Sequence, residues 1–202
     1  MIKEIKTRVF YAPIGEVDIS SPIHPRKRYS EILGCKSEKT RREKYLVWKL
    51  LERAVEKYLN LDFANIKFTK TANGKWICPD FCFSLSHTDT LVAVAISNAP
   101  IGVDTEEVRP IKEVLADKIL TESEKESFSA LPLEKRGKYL LEAWVKKESI
   151  FKAKDQKALL PTHTETQNSN VVVRYFTLLG REYILSVATE CEIIETVYME
   201  EL

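Results

Sequence analysis

The chain lacks the residues that mark several common architectures. It has six glycines in 202 residues, too few and too dispersed for a phosphate-cradling Gly-rich loop or a dinucleotide fingerprint. Four cysteines lie at positions 35, 78, 82 and 191; only Cys78 and Cys82 are close together, and no second pair completes a zinc site. That pair sits around Phe81 and Phe83 in an apolar stretch, as expected of reduced, packed thiols in a cytoplasmic protein. The three histidines, at 24, 87 and 163, share no i,i+4 spacing, which excludes a His-Glu-x-x-His metal site. No Gly-x-Ser-x-Gly elbow is present for a serine hydrolase. No apolar run approaches the roughly 18–20 residues of a membrane span. The first residues, Met1-Ile2-Lys3-Glu4-Ile5-Lys6, alternate apolar and charged, unlike a secretory leader.

What is present is a chain that can build a core. It is 44% hydrophobic and 30% charged, which excludes a disordered chain. The net charge is only +1 and the pI about 7.6, which argues against nucleic acid as the main partner. That balance is uneven along the chain. Residues 1–98 carry 17 basic and 11 acidic side chains, residues 99–202 carry 14 and 19. Such asymmetry is either sampling or a cation-lined surface facing a carboxylate-rich one.

Lys6 to Val17 reads as a strand, and Pro22, Pro25 and Arg26-Lys27-Arg28 as a loop. Ser37 or Thr40 can cap a long helix reaching about Leu59, with Val47, Trp48, Leu51, Ala54, Val55 and Tyr58 on one face. Ile66–Thr69 alternates like a strand and runs into the turn Asn73-Gly74. Phe81–Ser86 and Leu91–Ser97 form a hairpin pair, the second apolar enough to be a central strand. Pro100 breaks it, and Ile101–Glu106 is extended. Thr121-Glu122-Ser123-Glu124 has the capping-box form and opens a helix to about Leu131; a longer helix covers Glu134–Ala153. A polar loop at 160–170 precedes strands Val171–Leu178 and Tyr183–Ala188, joined by Leu179-Gly180-Arg181-Glu182. Strand material, a long helix and a strand pair thus occur twice. The expected fold is α+β, two similar halves (1–98 and 99–202) related by a pseudo-two-fold with a cleft between them.

Asp104 and Glu106 alternate on a strand, which puts both carboxylates on one face, roughly 6.5–7 Å apart. They are either a solvated pair or ligands for a hard cation such as Mg²⁺. Trp144, Glu148 and Lys152 share a helical stripe; Glu148 either pairs with Lys152 or supplies a third ligand. Lys75 on its turn, and Ser86-His87 at a strand end, can reach a phosphate, although His87 also reads as a structural turn residue.

Three segments occur in order: Phe83-Ser84-Leu85-Ser86-His87-Thr88, Ile101-Gly102-Val103-Asp104-Thr105-Glu106, and Trp144-x-x-Lys147-Glu148-Ser149 with Lys152. Together they resemble the 4′-phosphopantetheinyl transferase family in its larger, two-half, surfactin-synthetase-activating form. The resemblance runs from about Lys39 to the C-terminal residues. It implies that Asp104, Glu106 and Glu148 bind Mg²⁺, with Mn²⁺ as an alternative, and that Lys44, Lys75, Ser86, His87 and Lys152 bind coenzyme A. It also implies that Glu148, or a water it holds, takes a proton, and that Lys152 acts at the transferring phosphate. The partner implied is an apo acyl or peptidyl carrier protein, modified by a monomeric enzyme without nucleic acid or membrane. Trp76 stands where the family's Gly-Lys-Pro has proline, and Lys154-Asp155-Gln156-Lys157-Ala158-Leu159 replaces a Gly-rich stretch. The rival readings are another Mg²⁺-dependent phosphotransferase or nucleotide hydrolase, and a non-catalytic carrier-binding module.

Overall fold

A computed structural model describes residues 7–167, 169–191 and 193–199. Two sheets carry the fold. The first orders strands β4 (Cys82–His87), β5 (Leu91–Ser97), β1 (Thr7–Pro13) and β9 (Ile193–Tyr198), with β1 and β9 parallel and the other pairs antiparallel. The second orders β6 (Ile101–Glu107), β8 (Arg181–Thr189) and β7 (Val171–Leu178), all antiparallel. A short ribbon, β2 (Thr69–Lys70) with β3 (Trp76–Ile77), flanks the first sheet. The architecture is mixed α+β, as expected. Every residue of β5 is buried, the pattern of a central strand covered on both faces.

Helix α2 (Glu38–Ala54) packs on the first sheet and continues through a π-turn to Leu59. Ser37 is its N-cap, its hydroxyl accepting from Thr40 N. Trp48, fully buried, lies edge-on to Phe83, Trp76 and Phe63, and with Phe10, Leu50 and Leu51 forms the larger core. Helix α5 (Leu133–Ala153) lies on the second sheet, burying Leu141 and Val145 against Ile184. Between them come α3 (Ala116–Ile119) and α4 (Glu122–Ser129), the latter opened by the complete Thr121/Glu124 capping box. Lys147 of α5 is wholly buried and donates to Glu124 Oε2 at 2.6 Å and to the Pro161 carbonyl at 2.8 Å. That pair ties α5 to α4 and to the 161–166 segment.

Several local expectations change. Arg26–Leu33 is helix α1, not loop: Pro25, extended and lacking an N–H, is suited to precede a first helical turn. The first strand runs only Thr7–Pro13, with Lys6 outside the described residues. Ile66 is a buried residue just after a 3₁₀ turn, so its strand shrinks to Thr69–Lys70. The β7–β8 turn has two residues, not four: Leu179 and Gly180 have φ of 50° and 75°, suited to a tight hairpin. Strand β9 was not expected; it returns from the second half to complete the first sheet alongside β1.

The sheets meet edge to edge at β4 and β6, and serines make the seam. Ser84 Oγ accepts from Val103 N at 3.0 Å and Ser86 Oγ from Thr105 N at 3.2 Å. Alternation on β4 places both hydroxyls on one face, so the strand docks through side chains instead of a backbone ladder. α5 meets β6 closely at Gly102: an added Cβ there would lie 1.9 Å from the Ser149 carbonyl oxygen. Only glycine fits there.

Candidate active site at the seam

Asp104 on β6 is the hub. It is 6% exposed, and its Oδ1 accepts from Ser86 Oγ at 2.8 Å and from Lys152 Nζ at 2.7 Å. Its Oδ2 is buried without a hydrogen-bond partner among the described residues. A buried carboxylate oxygen left unpaired is costly, and a hard cation is one group that would satisfy it. Glu106, two residues along the strand, and Glu148 on α5 both face Asp104. Burial, then the charge of Asp104, push each of these carboxyls above its ordinary value. Arg109, Trp144 and Lys152 oppose the shift at Glu106, and Lys152 opposes it at Glu148.

These oxygen-only donors fit Mg²⁺ by chemistry. They are not drawn to one point, however: among the described residues no three His, Cys, Asp or Glu side chains gather closely enough to hold a metal. Lys152 already holds the hub. Instead of pairing with Glu148 along its own helix, it crosses to Asp104 Oδ1 and Ser86 Oγ, neutralising the hub.

Ser86 is 5% exposed, with its hydroxyl shared among Thr105 N, Asp104 and Lys152. Through these bonds it holds Asp104 and the seam. Lys75 is likewise committed. Its Nζ donates to the Lys152 carbonyl at 2.6 Å and to the Ile101 carbonyl at 3.3 Å, capping the end of α5 and bracing it to β6. Burial lowers its pKa. Asn73 Nδ2 adds a bond to the Asp155 carbonyl at 2.5 Å, so the Asn73–Lys75 turn latches the loop after α5. Trp76 turns into the core against Trp48, while Lys75, Trp76, Lys152, Asp155 and Gln156 line a cleft of about 280 Å³.

His87 lies one residue beyond Ser86, at the end of β4. Burial, then Lys152, Lys44 and Arg28, lower its pKa, with Asp104 opposing, so the ring is biased toward neutrality. These are cations from three helices around one imidazole, the kind of field that attracts a multiply charged anion. Lys44 was expected there. Arg28 was not, because α1 was read as loop; the only cue was the Arg-Lys-Arg run directly after Pro25. Its side chain is 12% exposed and stacks over Trp48 at 5.1 Å, which fixes its direction.

Residues 100–195, the segment that carries Asp104, Glu106, Glu148 and Lys152, match the model of the 4′-phosphopantetheinyl transferase superfamily. The chain is 30% identical over 106 residues to the 4′-phosphopantetheinyl transferase psf-1 of Bacillus pumilus, covering 51% of this chain and 46% of that protein. It is 29% identical over 115 residues to the transferase Sfp of Bacillus subtilis (strain 168), covering 55% and 51%. Against the transferase gsp of Aneurinibacillus migulanus it is 30% identical over 116 residues, covering 57% and 49%. The chain thus spans about half the length of these curated relatives, a narrower match than the motifs imply. Among the described residues no helix is long and apolar enough to cross a membrane.

Proposed function

We propose that this protein transfers the 4′-phosphopantetheine arm of coenzyme A to a serine of an apo acyl or peptidyl carrier protein, releasing 3′,5′-ADP. The observation that carries the reading is Asp104: buried, held at one oxygen by Lys152 and Ser86, and unpartnered at the other. With it go a cation cluster on one side of the seam and two further carboxylates on the other, within a segment of transferase-superfamily sequence.

Asp104, Glu106 and Glu148 would hold Mg²⁺, which supplies charge neutralisation for a bound pyrophosphate. Binding coenzyme A brings phosphate oxygens to Lys152, which then exchanges its bond to Asp104 for bonds to substrate. Arg28, Lys44 and His87 bind the outlying phosphate of the nucleotide and orient it. The carrier serine oxygen attacks the β-phosphorus, and the bond from that phosphorus to the oxygen of the leaving 3′,5′-ADP breaks. Glu148, or a water it holds, takes the serine proton. Lys152 stabilises the charge left on the departing phosphate. The two halves form a monomer related by a pseudo-two-fold, with the nucleotide in the cleft between them.

The test is to incubate the protein with coenzyme A, Mg²⁺ and an apo carrier protein and to weigh the carrier. A mass gain of one phosphopantetheine arm is the expected result. Nucleotide cleavage that leaves the carrier unmodified identifies a hydrolase instead, and neither product identifies a binding module.

A further inference from the structure

The imidazole of His87 has a carboxylate against it that the mechanism above does not use. Glu43 precedes Lys44 on α2, is 6% exposed, and places Oε2 3.6 Å from His87 Nδ1. Its other oxygen lies 4.0 Å from Lys39 Nζ, which is itself engaged at 2.6 Å by Asp89 of the β4–β5 turn. Burial raises the Glu43 pKa and Asp89 adds to it, while Lys39, Arg42 and Lys44 oppose. A carboxylate so desolvated gains strongly from any N–H pointed at it. The His87 side chain is 35% exposed, so a solute can reach the ring.

A neutral imidazole carries one N–H, and the partner of one nitrogen decides which nitrogen bears it. The Glu43 carboxylate lies at ion-pair distance from Nδ1, beyond a hydrogen bond; its charge favours the Nδ1–H form and leaves Nε2 as the nitrogen that meets a ligand. In the empty site, Arg28 on α1, Lys44 on α2 and Lys152 on α5 disfavour a second proton on the ring, with Asp104 on β6 opposing them. A phosphate among those cations reverses the local field. Nε2 then takes a proton from solvent and donates a hydrogen bond to the phosphate, while Nδ1–H stays on the Glu43 side of the ring.

We propose that Glu43 is a positioning residue for His87, holding Nδ1 as the protonated nitrogen so that Nε2 receives the outlying phosphate bound by Arg28 and Lys44, and becomes protonated as it does. This rests on the reading of that cluster as a phosphate subsite for coenzyme A. Glu43 touches no substrate atom; it acts through the ring.

The free protein tests the first half. With ¹⁵N-labelled protein, and His87 assigned from the spectrum of His87→Gln, the ring shifts should report the Nδ1–H tautomer. They should move toward Nε2–H in Glu43→Gln and return in Glu43→Asp. An Nε2–H tautomer in the unmodified protein overturns the proposal even if no variant folds. Calorimetric titration with 3′,5′-ADP at neutral pH, in two buffers of different protonation enthalpy, tests the second half. Proton uptake approaching one per nucleotide is expected, lost in Glu43→Gln together with about tenfold in affinity. Binding without proton uptake sinks the role of Glu43 and leaves the phosphate subsite standing. Failure of the nucleotide to bind sinks the subsite and the protonation step with it, while the free-protein tautomer still decides what holds the ring.

Discussion

Gly102→Ala is the most direct probe of the seam, because the perturbation is a single methyl group in a known place. The new Cβ would lie 1.9 Å from the Ser149 carbonyl oxygen and 2.5 Å from Ala153 N, both backbone atoms of α5. Ordinary contact begins at 3.4 Å, so helix and strand must part by about 1.5 Å. No rotamer change relieves this. The displaced stretch of α5 carries Glu148 and Lys152 and three bonds that set its position. These join Ser149 Oγ to Ser186 Oγ at 2.8 Å, Lys152 Nζ to Asp104 at 2.7 Å, and Lys75 Nζ to the Lys152 carbonyl at 2.6 Å. Overpacking of this kind costs about 1–3 kcal/mol of stability. A misplacement of about 1 Å between reacting groups costs roughly a hundredfold in rate. The expected result is therefore a folded protein with a lowered Tm and a kcat for carrier modification reduced at least about a hundredfold. Gly15→Ala is the control, since nothing lies within 4 Å of its added Cβ. Mass-spectrometric initial rates with circular dichroism on both variants make the comparison. If Gly102→Ala keeps its Tm and turns over within a factor of about three of the parent, α5 is not held as the reasoning requires.

Asp104→Asn keeps the shape but removes the charge that Lys152 and the two other carboxylates answer to; transfer should fall at least about a hundredfold while the fold persists, and near-parental turnover in Mg²⁺ would falsify the metal role. Arg28→Ala should raise KM for coenzyme A about tenfold with little change in kcat, and the loss should vanish with 3′-dephospho-coenzyme A; an equal loss with both substrates removes Arg28 from the outlying phosphate. Lys147→Met leaves the buried Glu124 carboxylate unpaired and should cost about 3–5 kcal/mol in urea unfolding, so a loss under about 1 kcal/mol contradicts the pin. Burial raises the Cys78 thiol to about 11, so its alkylation should climb about tenfold per pH unit from pH 7 to 9; a plateau by pH 9 refutes the shift.

The carboxylates and Lys152 were legible because their signal is local. An Asp-x-Glu on a strand shares a face by alternation, and Trp144, Glu148 and Lys152 share a stripe by helical spacing. The cap at Ser37 and the capping box at Thr121 needed only nearest neighbours, as did the long helices. What the sequence could not show was set by range. Ser86 and Lys75 have the chemistry to meet a phosphate, yet their atoms are consumed by Asp104, Thr105 N and two carbonyls from residues far along the chain. Arg28 had only its basic run as a cue and Glu43 had none, since their importance comes from what α1 and α2 are packed against. Strand β9 is short and pairs in parallel with a partner at the other end of the chain, so no hairpin signal announces it.

By itself, then, the sequence determined the α+β class, both long helices, the central strand and the identities of the acidic groups and the lysine around the candidate site. Those follow from periodicity and spacing, which are properties of short segments. The tertiary structure alone decided which oxygen of Asp104 is left unpartnered, that Lys152 bonds to Asp104 and not to Glu148, and that Arg28, Glu43, Lys44 and Lys152, from three helices, bear on His87 at the end of β4. Those depend on the approach of β6 to α5 at a glycine and of β4 to β6 through two serines. The bonds that gather the site join residues as far as 66 and 77 positions apart, and no local pattern encodes a distance between elements that meet only when the chain is folded.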